Sequence, residues 1–220
     1  MTFILDLSNI VMEAVYGIIL LIWVIIVVSI ISKKAYEYAK SIKGEKSAVY
    51  LARKIIHFLA GGLVALLVPF LFKSPLIPIV MVILLTFFTY IPHKTGKLMY
   101  WFQVKDNIAE VYFVIMWGVI ITLAWFINVW LGVIPILFMA WGDGITGIIR
   151  NIKYSKRTKA WIGNIAMFLL CAPLGYIFFG IYGLVAATLA SIIEHYEFVD
   201  DNISVPLVSF VILLIPLLLV

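Results

Sequence analysis

The sequence has few charged residues, and this scarcity decides its class. Only 12% of the 220 residues are Asp, Glu, Lys or Arg, whereas 65% are hydrophobic. No polar stretch is long enough to form a soluble domain, and apolar runs recur along the whole chain. Such a composition excludes an ordinary soluble globular protein and is typical of a polytopic membrane protein.

Cysteine is almost absent, and the single thiol, Cys171, lies within an apolar run. One cysteine excludes an intrachain disulfide and a cysteine metal site, so we expect Cys171 to pack between helices. The sequence also lacks a Walker A motif and the protein-kinase signatures, so a bound nucleotide would need another arrangement. The net charge is +5, and the basic residues lie in short loops between apolar runs. In such loops they orient the helices and contact anionic lipid, so nucleic-acid binding is not expected.

Apolar runs between charged breaks predict an all-α, polytopic transmembrane bundle of about eight helices. A spanning helix needs roughly 20 apolar residues. The predicted helices are residues 10–32, 53–72, 75–92, 108–127, 129–149, 161–179, 181–195 and 203–220. Two runs nearly fuse at Asn128 and the seventh helix is short, so seven helices is the alternative. Residues 1–220 are expected to form a single integral membrane domain.

The basic residues predict which helix ends face the cytoplasm. If the N-terminus is outside, the odd-numbered loops are cytoplasmic, and they hold every one of the 16 Lys and Arg residues but Lys73. This asymmetry follows the positive-inside rule and predicts a multi-pass protein of a cell membrane, or of the endoplasmic reticulum in a eukaryote. The seventh loop, EHYEFVDDN at residues 194–202, is acidic on the basic side, so we expect it to have a purpose other than orientation.

Two candidate groups lie where helices meet the cytoplasmic side. RKIIH places Arg53 and His57 on one helical face, although a positive anchor followed by an incidental histidine has the same pattern. Asp143 lies in WGDGITG, and a carboxylate at the centre of a membrane helix costs about 2.5–3.5 kcal/mol. We therefore expect a polar cavity, a cation or a metal beside it, with glycines such as Gly142 admitting a ligand; a buried lysine as structural partner is the alternative.

Two further groups have opposite charges. RNIKYSKRTKAWIG, residues 150–163, carries five positive charges that would neutralise phosphate, although a solvated loop that fixes topology has the same pattern. The seventh loop clusters oxygen ligands suited to Mg²⁺: Glu194, Glu197, Asp200, Asp201 and Asn202. Phosphoryl transfer requires positioning, a bridging metal and positive charge, so the four groups together predict a site for Mg²⁺ and a polyphosphate.

Five ordered blocks resemble the polyprenol kinase family, the CTP-dependent kinases of dolichol, phytol and farnesol or geranylgeraniol. The blocks are RKIIHFLAGG, AEVYFVI, WGDGITGIIRN, KAWIGNIAMF and EHYEFVDDNISVPL, which define a kinase-like region over residues 50–210. Ile162 departs from the family pattern because an acid is usual there, and Asn164 departs because serine is usual. If that acid binds metal in the family, Glu194 or Glu110 would replace it here.

The resemblance implies transfer of the γ-phosphate of CTP to the hydroxyl of a membrane isoprenoid alcohol, with Mg²⁺ as cofactor. CTP, the alcohol and membrane lipid are the expected partners. On the resemblance and the chemistry of the side chains, the catalytic residues are expected to be Asp143, Asp201 and His57. The expected metal ligands are Asp143, Asp200, Asp201 and Glu194. The expected nucleotide-binding residues are Arg53, Lys54, Gly142, Arg150, Lys159, Gly163 and Asn202.

Two other functions remain open on the sequence. A membrane cytidylyltransferase that forms a CDP-lipid uses similar blocks but attacks the α-phosphate of CTP. A transporter would use Asp143 as a coupling site, but it needs polar residues along a route across the bilayer, and the outer side has few.

Overall fold

The computed structural model describes residues 7–154, 158–196 and 199–219, and the side chains from residue 9 onward. This part of the chain is helical and contains no β-strand. Six helices are long and apolar enough to cross a membrane, and the apolar helix Ala109–Trp125 is shorter. The predicted all-α class with several such helices is confirmed. Lys156, Arg157 and Glu197, which belong to the predicted charged groups, lie outside the described residues.

The helices are numbered here in chain order. Helix α1 consists of Leu7–Ile26, a π-helical turn Val27–Ile31, and Ser32–Lys43. Helix α2 consists of Glu45–Ile56, a π turn His57–Gly62, and Leu63–Leu71. Helix α3 is Leu76–Thr95 and α4 is Ala109–Trp125. Helix α5 consists of Trp130–Leu137, a π turn Phe138–Gly142, and Asp143–Tyr154. Helices α6 (161–179) and α7 (181–196) are separated by the non-helical Gly180, and α8 is Asp201–Leu218.

Helices α1 and α2 extend well past their predicted ends. The loop predicted over residues 33–52 is helical apart from Gly44, whose φ of 81° reverses the chain between the two helices. That loop prediction is wrong because charged residues end an apolar run without ending a helix. Tyr36 and Ala39 of α1 are buried where the helix packs against α2, and Ala48 of α2 is buried in turn.

Helices α6 and α7 fold back on each other as an antiparallel hairpin. The turn is at Gly180, which has a φ of 55°. A Cβ added at Gly175 or Gly183 would overlap the backbone of the other residue, so the two helices touch directly at their glycines. At the far end of the hairpin, Asn164 Nδ2 donates to the carbonyl of Ser191 at 2.6 Å.

Two π turns are fastened by tryptophan side chains. An apolar interior requires every backbone carbonyl to be hydrogen-bonded within the protein. Indole N–H groups donate to carbonyls of these turns in four pairs: Trp101 to Val28, Trp23 to Leu59, Trp117 to Gly61 and Trp141 to Phe58. One of these turns begins at His57, and the third π turn ends directly before Asp143. Such turns are frequent at functional sites.

Contacts between side chains divide the helix ends into two groups. At one end, Lys73 Nζ donates to Asn9 Oδ1 at 2.9 Å, and Trp130 packs against Phe70 and Phe178. The opposite end joins the charged segments in three contacts: Lys43 with Asn151, Arg53 with Asn107, and Lys159 with Glu194. The candidate residues for function lie at this charged end.

Candidate functional site

Three carboxylates from three helices converge at the charged end. Asp143 begins the last segment of α5, Glu194 lies in the last turn of α7, and Asp201 lies in the first turn of α8. One oxygen from each lies within 4.8 Å of the other two. Asp143 is 2% exposed and Glu194 is 1% exposed. Because like charges repel strongly away from water, this arrangement requires cations beside it.

Lys54 is the first of these cations. Its Nζ lies 2.5 Å from both carboxylate oxygens of Asp143, and Lys54 is 6% exposed. Tyr50, one helical turn earlier, places its ring centroid 5.1 Å from the same Nζ. Gly147 leaves the space that the lysine side chain occupies, because a Cβ there would overlap it. The buried lysine that the sequence leaves open as a structural partner of Asp143 is therefore present.

Arg150 and Lys159 neutralise Glu194. The guanidinium of Arg150 donates to both carboxylate oxygens, at 2.7 and 3.0 Å, in the bidentate geometry that gives the strongest charged hydrogen bonds. Lys159 Nζ donates to Glu194 Oε1 at 2.9 Å and to the Glu194 carbonyl at 2.7 Å. Gly163 packs against Arg150, and an added Cβ would overlap the guanidinium.

Asn164 is a central residue of this network that the sequence does not single out for a role. Its Nδ2 donates to Glu194 Oε2 at 2.8 Å, and its Oδ1 accepts from Arg150 Nη2 at 2.7 Å. The side chain thus joins α6 to both α5 and α7. The available signal is a lone amide among apolar residues in KAWIGNIAMF, which predicts a buried, hydrogen-bonded group.

The first turn of α8 carries side-chain oxygen atoms that have fewer partners among the described residues than those of Asp143 and Glu194. Asp201 makes no ion pair with any other described residue. Asn202 is 3% exposed, and its Oδ1 is buried without a hydrogen-bond partner in the part of the chain that is described. Asp200 instead caps the helix, because its Oδ1 accepts from the backbone N–H and the side chain of Asn202, at 3.0 and 2.9 Å.

His57 lies on α2, beside the three converging carboxylates. Its Nδ1 lies 3.1 Å from Asp143 Oδ2 but without the alignment of a hydrogen bond, so this buried nitrogen has no hydrogen-bond partner among the described residues. The imidazole stacks on Phe113 with ring centroids 4.1 Å apart. The ring therefore has a fixed position beside Asp143.

A polar cavity of about 70 Å³ lies among these groups. Of the residues expected from the sequence, those that line it are Arg53, Lys54, His57, Glu110, Asp143, Arg150, Lys159, Glu194, Asp200, Asp201 and Asn202. The expected glycines do not line it, because Gly142 faces Cys171 and Met167 and Gly163 faces Arg150. In the structure both glycines lie against neighbouring protein side chains. Tyr50 and Asn107 also line the cavity without having been expected.

Glu110 belongs to a neighbouring cluster. Arg53 donates to Glu110 Oε2 at 2.7 Å, and His93 Nε2 lies 2.6 Å from Glu110 Oε1. Gln103 donates to the same Oε1 at 3.1 Å. Glu194 and Glu110 are the two acids that could replace the acid that the family pattern has at Ile162. Glu194 is one of the three converging carboxylates, whereas Glu110 is not.

The oxygen atoms at this site fit a hard divalent cation. Mg²⁺ is bound by one or two carboxylates together with waters and phosphate oxygens. A carboxylate has about four lone-pair positions, so Asp143 keeps acceptor capacity beside Lys54. Asp201 and the buried Oδ1 of Asn202 add oxygens in the same cavity. Lys54, Arg150 and Lys159 supply positive charge that suits a polyanion.

The chain was compared with known protein families, curated proteins and solved structures. No protein-family model, no curated protein and no solved structure matches it.

Proposed function

We propose that the protein is a membrane kinase that transfers the γ-phosphate of CTP to the hydroxyl of an isoprenoid alcohol, giving a polyprenyl monophosphate and CDP. The observation that carries the proposal is the convergence of Asp143, Glu194 and Asp201 within 4.8 Å, beside Lys54, Arg150 and Lys159. Phosphoryl transfer needs little covalent chemistry and depends on positioning and neutralisation of charge. The resemblance of five sequence blocks to polyprenol kinases supports CTP as the donor.

The architecture of the proposed enzyme is eight spanning helices with the site on the cytoplasmic face. Six long apolar helices, the shorter α4 and the division of residues 161–196 at Gly180 support this number. The distribution of lysine and arginine supports the orientation. A site at the helix ends suits this reaction, because the alcohol tail stays in lipid while its hydroxyl meets a water-soluble nucleotide.

The metal of the proposed reaction is Mg²⁺. Asp143 and Asp201 would hold it, with Glu194 and the Oδ1 of Asn202 as the neighbouring oxygen donors. When bound, Mg²⁺ neutralises the charge that develops on the transferred phosphoryl group. Asp200 orients Asn202 by capping α8, so its contribution to metal binding is indirect.

The phosphates of CTP would lie against the cations of the cavity. Lys159 is the best placed, because its side chain is 28% exposed while that of Arg150 is 1% exposed. Arg150 instead holds the carboxylate of Glu194 in position through two hydrogen bonds. Lys54 balances the charge of Asp143 and lines the same cavity.

In the proposed reaction the acceptor hydroxyl lies at His57. Its oxygen attacks the γ-phosphorus, the bond from that phosphorus to the β-phosphate oxygen breaks, and CDP leaves with the electron pair. The hydroxyl proton passes to the imidazole, which the Asp143 carboxylate stabilises in its charged form from 3.1 Å. Arg53 is held by Glu110 beside the cavity and orients this side of the site.

The proposal is tested by following label from CTP in purified protein with Mg²⁺ and a panel of farnesol, geranylgeraniol, phytol and dolichol. With CTP labelled at the γ-phosphorus, a kinase transfers label to the lipid and releases CDP. A cytidylyltransferase instead releases that label in pyrophosphate, while label at the α-phosphorus enters the lipid. Absence of γ-label from every lipid would overturn the proposal.

A further inference from the structure

A second cavity, of about 320 Å³, lies between α1, α2, α3 and α4. Its walls are apolar apart from His57, Thr89 and Glu110 at the charged end and the indole of Trp117. The indole N–H is already bonded to the Gly61 carbonyl. The volume falls within the range of roughly 300–1,000 Å³ that is common for ligand pockets. An apolar chamber with polar groups gathered at one end fits an amphiphile with a single polar head.

The apolar cavity meets the polar cavity at two residues. His57 and Glu110 line both. Phe113, which stacks on His57, lines only the apolar one. A ligand whose head group lies at His57, beside the carboxylates, would therefore place its tail in the apolar cavity.

The apolar cavity reaches the outer surface between α1 and α3. The two helices are close at Gly17, where an added Cβ would contact Ile77. Nearer the charged end, Ile25, Leu84 and Phe88 line the cavity while they are 46%, 52% and 44% exposed. Side chains that are both exposed and part of the wall mark an opening. Because the surface there is apolar, the opening faces lipid rather than water.

Helix α2 provides the wall along the length of the cavity. Ala60, Val64 and Val68 recur at intervals of four residues on the face that lines it, and Phe72, directly after the end of the helix, lines it as well. From His57 to Val68 a helix rises about 16 Å, at roughly 1.5 Å per residue. This is about half the ~30 Å thickness of the hydrocarbon core of a bilayer. Val68 and Phe72 therefore lie at the end of the cavity farthest from the polar site.

We infer that this cavity binds the hydrocarbon tail of a single-chain lipid alcohol, which enters between α1 and α3 and places its hydroxyl at His57. Val68 and Phe72 limit the length of tail that the cavity holds. The inference rests on the proposed function for the reaction of the alcohol, but the binding of the tail is measurable without that reaction.

The length limit is tested with Val68→Phe, which fills the far end of the cavity. Turnover of geraniol is expected to remain within about twofold, whereas that of geranylgeraniol falls by roughly tenfold or more, because a pocket discriminates by the apolar groups it can hold. The matched control is Val80→Phe, the same change at a residue that is 44% exposed and outside the cavity wall. An unchanged ratio of geraniol to geranylgeraniol turnover in a folded Val68→Phe protein would overturn the length limit.

Tail binding is tested separately on the wild-type protein, with a farnesol analogue that carries a photoreactive diazirine at the end of its tail. Cross-links on the cavity-lining residues of α2 and α3, competed by free farnesol, are the expected result. Cross-links confined to the outer lipid-facing surface would overturn the inference even if γ-label reaches lipid. Cross-links inside the cavity without transfer of γ-label from CTP would leave the inference standing and overturn the proposed function.

Discussion

Lys54 and Asp143 are 89 residues apart in the sequence, yet the lysine Nζ lies 2.5 Å from both carboxylate oxygens in the interior of the bundle. The pair fastens α2 to α5 at the edge of the polar cavity. Asp143 therefore has two tasks, because it neutralises a buried lysine and also supplies oxygen atoms to the carboxylate group.

The first prediction separates these two tasks. Lys54→Met leaves a buried carboxylate without its counter-ion, which costs about 3–5 kcal/mol and lowers the thermal unfolding midpoint in detergent. The double variant Lys54→Met/Asp143→Asn has neither charge of the pair, so most of the stability should return. Its turnover should still be absent, because Asp143 no longer carries a carboxylate. The control is Lys46→Met, at an exposed residue of the same helix. A double variant that is no more stable than Lys54→Met would contradict the account of the pair.

The second prediction concerns Asp201, which makes no ion pair with another described residue. Asp201→Asn is expected to reduce turnover by about 100-fold or more, because it removes a carboxylate ligand of the Mg²⁺ that neutralises the reacting phosphoryl group. The thermal unfolding midpoint should stay near that of the wild type, since no ion pair in the described structure is lost. Glu37→Gln, at an exposed acid of α1, is the control for a change of net charge. Equal turnover in Asp201→Asn and Glu37→Gln would remove Asp201 from the mechanism.

The third prediction concerns the contact of Gly163 with Arg150. Gly163→Ala pushes the guanidinium out of its position, so it should cost about 1–3 kcal/mol and weaken the hold on Glu194. The matched control is Gly144→Ala, where the new Cβ would have one tight contact, with a ring atom of Phe58 at 3.2 Å, and lie at ordinary contact distance from the Lys54 carbonyl oxygen at 3.7 Å. Circular dichroism melts of the two variants give the comparison. A smaller loss of stability in Gly163→Ala than in Gly144→Ala would contradict the assigned contact.

The fourth prediction concerns Asn164, where the polyprenol kinase pattern has serine. Asn164→Ser is too short to bond Arg150, Glu194 and the Ser191 carbonyl together, so buried polar groups lose partners at about 1–3 kcal/mol each. The unfolding midpoint and the turnover are both expected to fall. Thr188→Ala on α7 removes one hydroxyl that bonds only the Leu184 carbonyl, and it should have little effect. Equal midpoints in the two variants would refute a bridging role for Asn164.

The sequence predicts the helical class well, since each long apolar run corresponds to a helix. It fails at residues 33–52, because hydropathy registers the charged residues but not the buried stripe of Tyr36 and Ala39 that continues the helix. The break at Gly180 is predictable, because a glycine separates two apolar runs and adopts a φ of 55° that suits no other residue as well.

The sequence also indicates which polar residues gather, but not which of them bond to each other. It marks Lys54, Asp143, Arg150 and Glu194 as polar groups at one membrane face. Their pairing depends on how α2, α5 and α7 pack, and no local pattern encodes that packing. For the same reason the sequence does not indicate which side chains lie against the glycines of WGDGITG: Lys54 and Phe58 of α2 lie against Gly147 and Gly144, and Cys171 and Met167 of α6 lie against Gly142.

In the proposed site, Asp143 and Asp201 hold a metal ion that is also bound to the phosphates of CTP, with Glu194 as a neighbouring oxygen donor. Electron paramagnetic resonance with Mn²⁺ in place of Mg²⁺ measures this directly, since coupling between the metal and phosphorus requires both in one site. We predict one tightly bound Mn²⁺ per chain with phosphorus coupling when CTP is present, and its loss in Asp201→Asn but not in Glu37→Gln. Bound Mn²⁺ without phosphorus coupling, or an unchanged signal in Asp201→Asn, would contradict the claim.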